Sequence, residues 1–121
     1  MIKIYHHPQC RKSRAGLEYL RSKGVPFEVV EYFRKPLSEE EIAKLLAKLS
    51  RKPSELIRTQ EEYYKKHLKG KSFNDHELIR FLAGNPKLLQ RPIVEIGYSA
   101  VVADPPEKID SIFKNHKSSL P

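Results

Sequence analysis

The opening of the chain reads strand, helix, strand, and that order leaves few folds open. Ile2 to Tyr5 sets apolar residues around Lys3, the period-two pattern of a short strand. His7-Pro8 interrupts it. From about Cys10 to Lys23 the spacing turns helical, with Leu17 and Leu20 on one face. Gly24 is a natural stop for that helix, and Pro26 prevents its continuation. Phe27 to Val30 then reads as a second strand. Two strands joined by a helix within about 30 residues form a βαβ unit, and the crossover makes the strands parallel.

The rest of the chain extends this start. Ser38 and Glu41 form a capping-box pattern, followed by Ile42, Leu45, Leu46 and Leu49 at helical spacing. Pro53-Ser54 starts a short helix expected to reach Ile57. The stretch from Glu61 to Lys71 is very polar and fits helix or loop. Asn74 and Glu77 suggest another capped helix, which Gly84-Asn85-Pro86 ends. Pro92 to Ile96 and Ala100 to Val102 read as strands, and Gly97-Tyr98 suits a tight hairpin between them. Pro105-Pro106 opens a final helix with Ile109, Ile112 and Phe113 on one face. The order is β-α-β, several helices, then β-β-α. The expected architecture is α/β: a single domain over residues 1–115 with a helical insertion at about 34–86, and a frayed tail at 116–121.

Composition narrows the function classes. A length of 121 residues suits one domain. No apolar run approaches the ~20 residues of a membrane helix, and no secretory h-region opens the chain. With one cysteine, Cys10, an intramolecular disulfide is excluded. A cytoplasmic protein is expected. Basic residues outnumber acidic ones 23 to 15, for a net charge of +8, which favours anionic partners. The segment Tyr63 to Lys71 mixes aromatic and basic residues as a nucleic-acid surface does. No helix-turn-helix or zinc-finger pattern accompanies it, and a solvated polar segment is the stronger reading. The five histidines are dispersed, so no metal site is expected.

Cys10 stands where the first strand hands over to the first helix. A lone cysteine is most often an inert small hydrophobe. Its neighbours argue otherwise. Unpaired N–H groups and the dipole of a helix N-terminus favour an anion. Arg11, Lys12 and Arg14 add charge within one turn, and His6 and His7 lie just before. At the ordinary thiol pKa only about 3% is ionised at pH 7. A preference of about 2.7 kcal/mol makes the thiolate dominant. The sequence therefore predicts a reactive thiolate. Ser13, one turn after Cys10, can donate a hydrogen bond to it but cannot resolve a disulfide.

The stretch Ile4-Tyr5-His6-His7-Pro8-Gln9-Cys10-Arg11-Lys12-Ser13-Arg14 closely resembles the opening of ArsC-type arsenate reductases that use glutathione and glutaredoxin. Leu56-Ile57-Arg58 with Tyr63, Leu88-Leu89-Gln90-Arg91-Pro92-Ile93-Val94 and Pro105-Pro106-Glu107 resemble later segments of the same family. The likeness spans about residues 1–115 and extends to the superfamily that includes the Spx regulators. It implies a thioredoxin-like core with a helical insertion, and a cis Pro92 lying against the cysteine loop. It implies that Cys10 is the nucleophile, that His6, Ser13 and Arg14 stabilise its thiolate, and that Arg58 and Arg91 bind a small oxyanion. It implies no bound cofactor, with glutathione as reducing co-substrate and a glutaredoxin as partner. Asp104 departs from the family pattern, standing where a third arginine is usual. A glutathione-dependent thiol reductase without arsenate activity is one alternative. An Spx-like regulator that binds RNA polymerase is another, although Ser13 replaces the second cysteine of that redox switch.

Overall fold

The computed structural model describes residues 1–115. The first strand, β1, is Ile2–Tyr5; the helix α1 is Arg11–Arg21; the second strand, β2, is Glu28–Val30. The last two strands are β3, Ile93–Ile96, and β4, Ser99–Val102. Together they form one sheet in the order β2-β1-β3-β4. β1 pairs β2 in parallel, as the crossover requires, and pairs β3 antiparallel. β3 and β4 form a hairpin, and Gly97 turns it at φ 58°, a left-handed conformation that glycine adopts without steric cost. This is the thioredoxin-like arrangement.

Alternation along β1 and β3 decides which face is covered. Ile2, Ile4, Val94 and Ile96 project to one side, where Leu20 of α1 and Ile109 and Ile112 of the last helix, α4 (Ile109–Asn115), complete a buried cluster with Ala103. Tyr19 Oη donates to the Asp110 carboxylate, and Lys23 Nζ pairs with the same group at 2.6 Å, fastening α1 to α4.

Gly16 of α1 lies tight against Pro92, just before β3. A β-carbon there would lie 2.5 Å from Pro92 Cγ and 3.7 Å from the Ala103 carbonyl oxygen. Alanine normally gains about 1 kcal/mol over glycine inside a helix. Overpacking of this kind costs about 1–3 kcal/mol, and the Pro92 ring cannot retreat freely because its carbonyl accepts from Ala103 N–H at 2.8 Å. Gly16→Ala is therefore expected to lower the urea midpoint at unchanged m-value. A raised midpoint would show that α1 shifts at no cost.

The chain divides into two compact units. One consists of Met1–Tyr32 and the chain from Arg91 onward; the other is Phe33–Gln90. The second unit is helical. Its α2 is Glu39–Leu49, with both halves of the Ser38–Glu41 capping box formed and Ile42, Leu45, Leu46 and Leu49 buried. α3 is Asp75–Gly84, capped the same way by Asn74 and Glu77. α2 packs on α3. A 3-10 turn covers Pro53–Leu56, shorter than expected, because Ile57 leaves it to form a β-bridge with Leu89. Tyr64–Leu68 forms a single π-helical turn, which a polar sequence without period does not announce. The second unit starts one residue before the expected insertion and ends four residues after it. The expected tail at 116–121 lies outside the described residues. No helix among the described residues is long and apolar enough to cross a membrane.

Candidate active site

Cys10 is the N-cap of α1, with extended backbone (φ −96°, ψ 124°), and it is partly exposed. Its own N–H donates to the His7 carbonyl at 3.0 Å, and its carbonyl accepts from Arg14 N–H at 3.0 Å. The sulfur is thereby carried to the open end of the helix. Partial burial pushes the thiol pKa up. The backbone N–H of Ser13, the hydrogen-bonding Arg91 guanidinium with its charge, and the backbone N–H of Lys12 outweigh that effect, and the net pKa is lowered. The helix terminus thus acts through named N–H groups, and a basic side chain from the far end of the chain completes the site.

Arg91 lies two residues before β3. It is 6% exposed, and the Arg91–Pro92 peptide is cis. Asp104–Pro105 is cis as well, which the sequence did not suggest. Pro92 places its ring against Gly16 of α1. Ala103 N–H donates to the Pro92 carbonyl, so residues 103 and 104 lie beside the Arg91–Pro92 step. Arg91 and Cys10 are 81 positions apart in sequence and adjacent in space.

Ser13 serves the thiolate differently from the expectation. Its side chain is fully buried. Ser13 Oγ lies 2.7 Å from His6 Nδ1 and accepts from His7 N–H at 2.9 Å. The hydroxyl closes the end of β1 against α1, and it is the backbone N–H of Ser13 that favours the thiolate. His6, also buried, has its pKa lowered, first by burial, against the opposing influence of Ser13 and Glu31. It is neutral at pH 7 and brings no cation to the sulfur. The assignment that uses every proton of this trio has the Ser13 hydroxyl donating to Nδ1, which leaves the His6 proton on Nε2. Arg14 Nη1 donates to the Pro8 carbonyl at 3.0 Å, bracing the loop before Cys10, and its charge helps lower the His6 pKa. His6 and Arg14 therefore act on the shape of the loop more than on the sulfur.

Ser13→Ala separates these two roles. It removes the acceptor of a buried N–H and the partner of a buried imidazole, at a cost of about 1–3 kcal/mol in stability. It leaves the residue 13 N–H in place. The expected outcome is a lower melting temperature with Cys10 alkylation at pH 7 slowed less than about threefold. Alkylation slowed tenfold or more would restore the hydroxyl to the thiolate.

Arg58 belongs to the other unit. Its backbone N–H donates to the Leu88 carbonyl at 2.7 Å, and its side chain, 12% exposed, pairs through Nε with Glu61 Oε2 at 3.3 Å. Glu61 is a partner that sequence reasoning did not name. Spacing could have suggested it, since i,i+3 pairs of opposite charge meet on a helical turn. The first unit therefore brings together Cys10, Ser13, His6, Arg14, Arg91 and Pro92, and it adds Lys12, Asp104 and Gly16.

A thiol at a helix N-terminus on this sheet order, with an arginine from the cis-proline step before β3, defines a thioredoxin-like thiol site. The sequence profile of the ArsC family matches residues 5–112, and the chain belongs to that family. It is 35% identical over 113 residues to an arsenate reductase of Neisseria meningitidis, covering 92% of this chain and 97% of that one. It is 39% identical over 110 residues to the uncharacterized protein YfgD of Escherichia coli K12, covering 89% and 92%. The solved structure of an arsenate reductase from Vibrio cholerae superposes with a TM-score of 0.87 at 35% identity, covering 92% of this chain and 96% of that one.

Proposed function

We propose that this chain is an oxidoreductase that reduces arsenate to arsenite through Cys10, with glutathione and a glutaredoxin as its reducing partners. The carrying observation is that the thiol at the helix terminus, whose pKa is lowered, is the chain's one cysteine. A single cysteine can pass its adduct only to an external thiol.

In this reading the Cys10 thiolate attacks arsenic and displaces a hydroxyl group, giving a thiolate–arsenate adduct. The Lys12 and Ser13 N–H groups and the Arg91 guanidinium favour the anionic sulfur before attack, and Arg91 then faces the adduct's oxygens. Arg58 is assigned to the oxyanion by the family resemblance. One of its five donors is taken by Glu61. Glutathione supplies the second thiol. Cys10 and glutathione together give up two electrons, arsenic passes from As(V) to As(III), and arsenite leaves a mixed disulfide on Cys10. A glutaredoxin thiolate takes up the glutathionyl group and frees Cys10. A reducing compartment such as the cytoplasm suits this cycle.

The test is NADPH consumption with arsenate, glutathione, a glutaredoxin and the glutathione-recycling enzyme. The expected result is turnover that stops when either glutathione or the glutaredoxin is left out. No turnover with the complete system, from a protein whose Cys10 alkylates rapidly at pH 7, would reject arsenate and move the reading to glutathionylated thiols.

A further inference from the structure

Two residues along the chain from Cys10, Lys12 makes an ion pair that the chemistry above does not use. Lys12 Nζ is 3.1 Å from Asp104 Oδ2. Lys12 sits in the first turn of α1 and gives its backbone N–H to the Cys10 site. Asp104 follows β4, with its N–H on the Val102 carbonyl at 2.9 Å, while its neighbour Ala103 is bonded to the Pro92 carbonyl. The carboxylate is thus held by the same backbone that positions Arg91. The two side chains are 55% and 39% exposed. A pair that open contributes little to stability. Its larger effect is on the charge offered to whatever approaches the sulfur.

Few charges lie within one helical turn of Cys10 or at the Arg91 step. The thiolate carries one negative charge and Arg91 one positive. The helix terminus adds about half a positive charge. Arg14 keeps its charge but turns Nη1 to the Pro8 carbonyl, and Arg11 is exposed. Lys12 is a further exposed cation in this turn, and the Asp104 carboxylate offsets its charge. We propose that Asp104 is a specificity-determining residue: by holding Lys12 it limits the pull of the Cys10 site on anions, most of all on multiply charged ones. The inference concerns the site on which the proposed arsenate chemistry rests, but it does not require that arsenate be the substrate.

Alkylation of Cys10 by negatively charged iodoacetate and by neutral iodoacetamide reads this directly on the full chain. Their rate ratio at one pH cancels the thiolate fraction and reports local charge. In Asp104→Asn the ratio is expected to rise about threefold or more at low salt and to return towards the native value in 1 M salt, where the Debye length is about 3 Å. In Lys12→Gln/Asp104→Asn it is expected to match the native ratio within about a factor of 1.5, because the two charge changes cancel. Melting curves and circular dichroism confirm that each variant is folded. An unchanged ratio in Asp104→Asn, or the same rise in the double variant, overturns the proposal. No arsenate or glutathione enters this assay. A ratio that responds as stated while arsenate turnover fails leaves the charge pair standing and removes the substrate.

Discussion

Cys10→Ser is expected to lower arsenate turnover by at least about three orders of magnitude, to the rate without enzyme, with the fold unchanged. Nucleophilic catalysis splits one hard displacement into two easier ones, and a serine hydroxyl without a base beside it is a poor substitute for a thiolate. The residue can be changed cleanly. Cys10 is partly exposed and outside the packed cluster of the first unit, and serine keeps its backbone hydrogen bonds. Serine is moreover a favoured N-cap, so the variant should melt no lower than the native protein. Turnover of the variant within about tenfold of native would assign the chemistry to another group.

Arg91→Ala carries the second largest effect, and it divides into two measurable parts. The guanidinium is a hydrogen-bonding and charged partner of the Cys10 sulfur, so its removal raises the thiol pKa while burial continues to push in the same direction. At fixed neutral pH the thiolate fraction falls, and the alkylation midpoint moves to higher pH. In the proposed mechanism the oxyanion also loses a guanidinium partner, worth about 1.5–3 kcal/mol for a hydrogen bond to a charged group. Together they predict a loss of about 100-fold or more in kcat/KM for arsenate. Arg91→Lys distinguishes the parts, since it keeps charge and loses the fork. It should recover most of the alkylation midpoint and little of the turnover. Equal recovery of both would reduce Arg91 to a point charge.

Local chemistry was readable from the sequence wherever it depends on near neighbours. The parallel β1–β2 pairing follows from crossover length, and the capping boxes at Ser38 and Asn74 follow from a three-residue spacing. Cys10 at the helix N-terminus was legible for the same reason. What escaped depends on tertiary proximity. Lys12 and Asp104 are 92 positions apart, and nothing in either segment announces the other. Gly16 reads as a mild fault in a helix until the Pro92 ring is found against it. Ser13 was placed on the thiolate by its spacing from Cys10. Its hydroxyl instead serves His7 N–H and His6 Nδ1, because a buried strand end needs a partner more than a partly exposed sulfur does. Arg58 could be singled out only by resemblance, and its pairing with Glu61 makes it less available than a bare arginine would be.

The pH dependence of Cys10 alkylation by iodoacetamide, followed by mass spectrometry on the native protein, tests the central claim most directly. The thiolate is the reacting form, so the rate rises with pH through the folded-state pKa and then levels. Because that pKa is lowered, the midpoint is expected below that of free glutathione measured alongside, and unfolding in urea should return it to the ordinary thiol value. A native midpoint at or above that of glutathione would contradict the account, since neither the helix terminus nor Arg91 would then be holding an anionic sulfur.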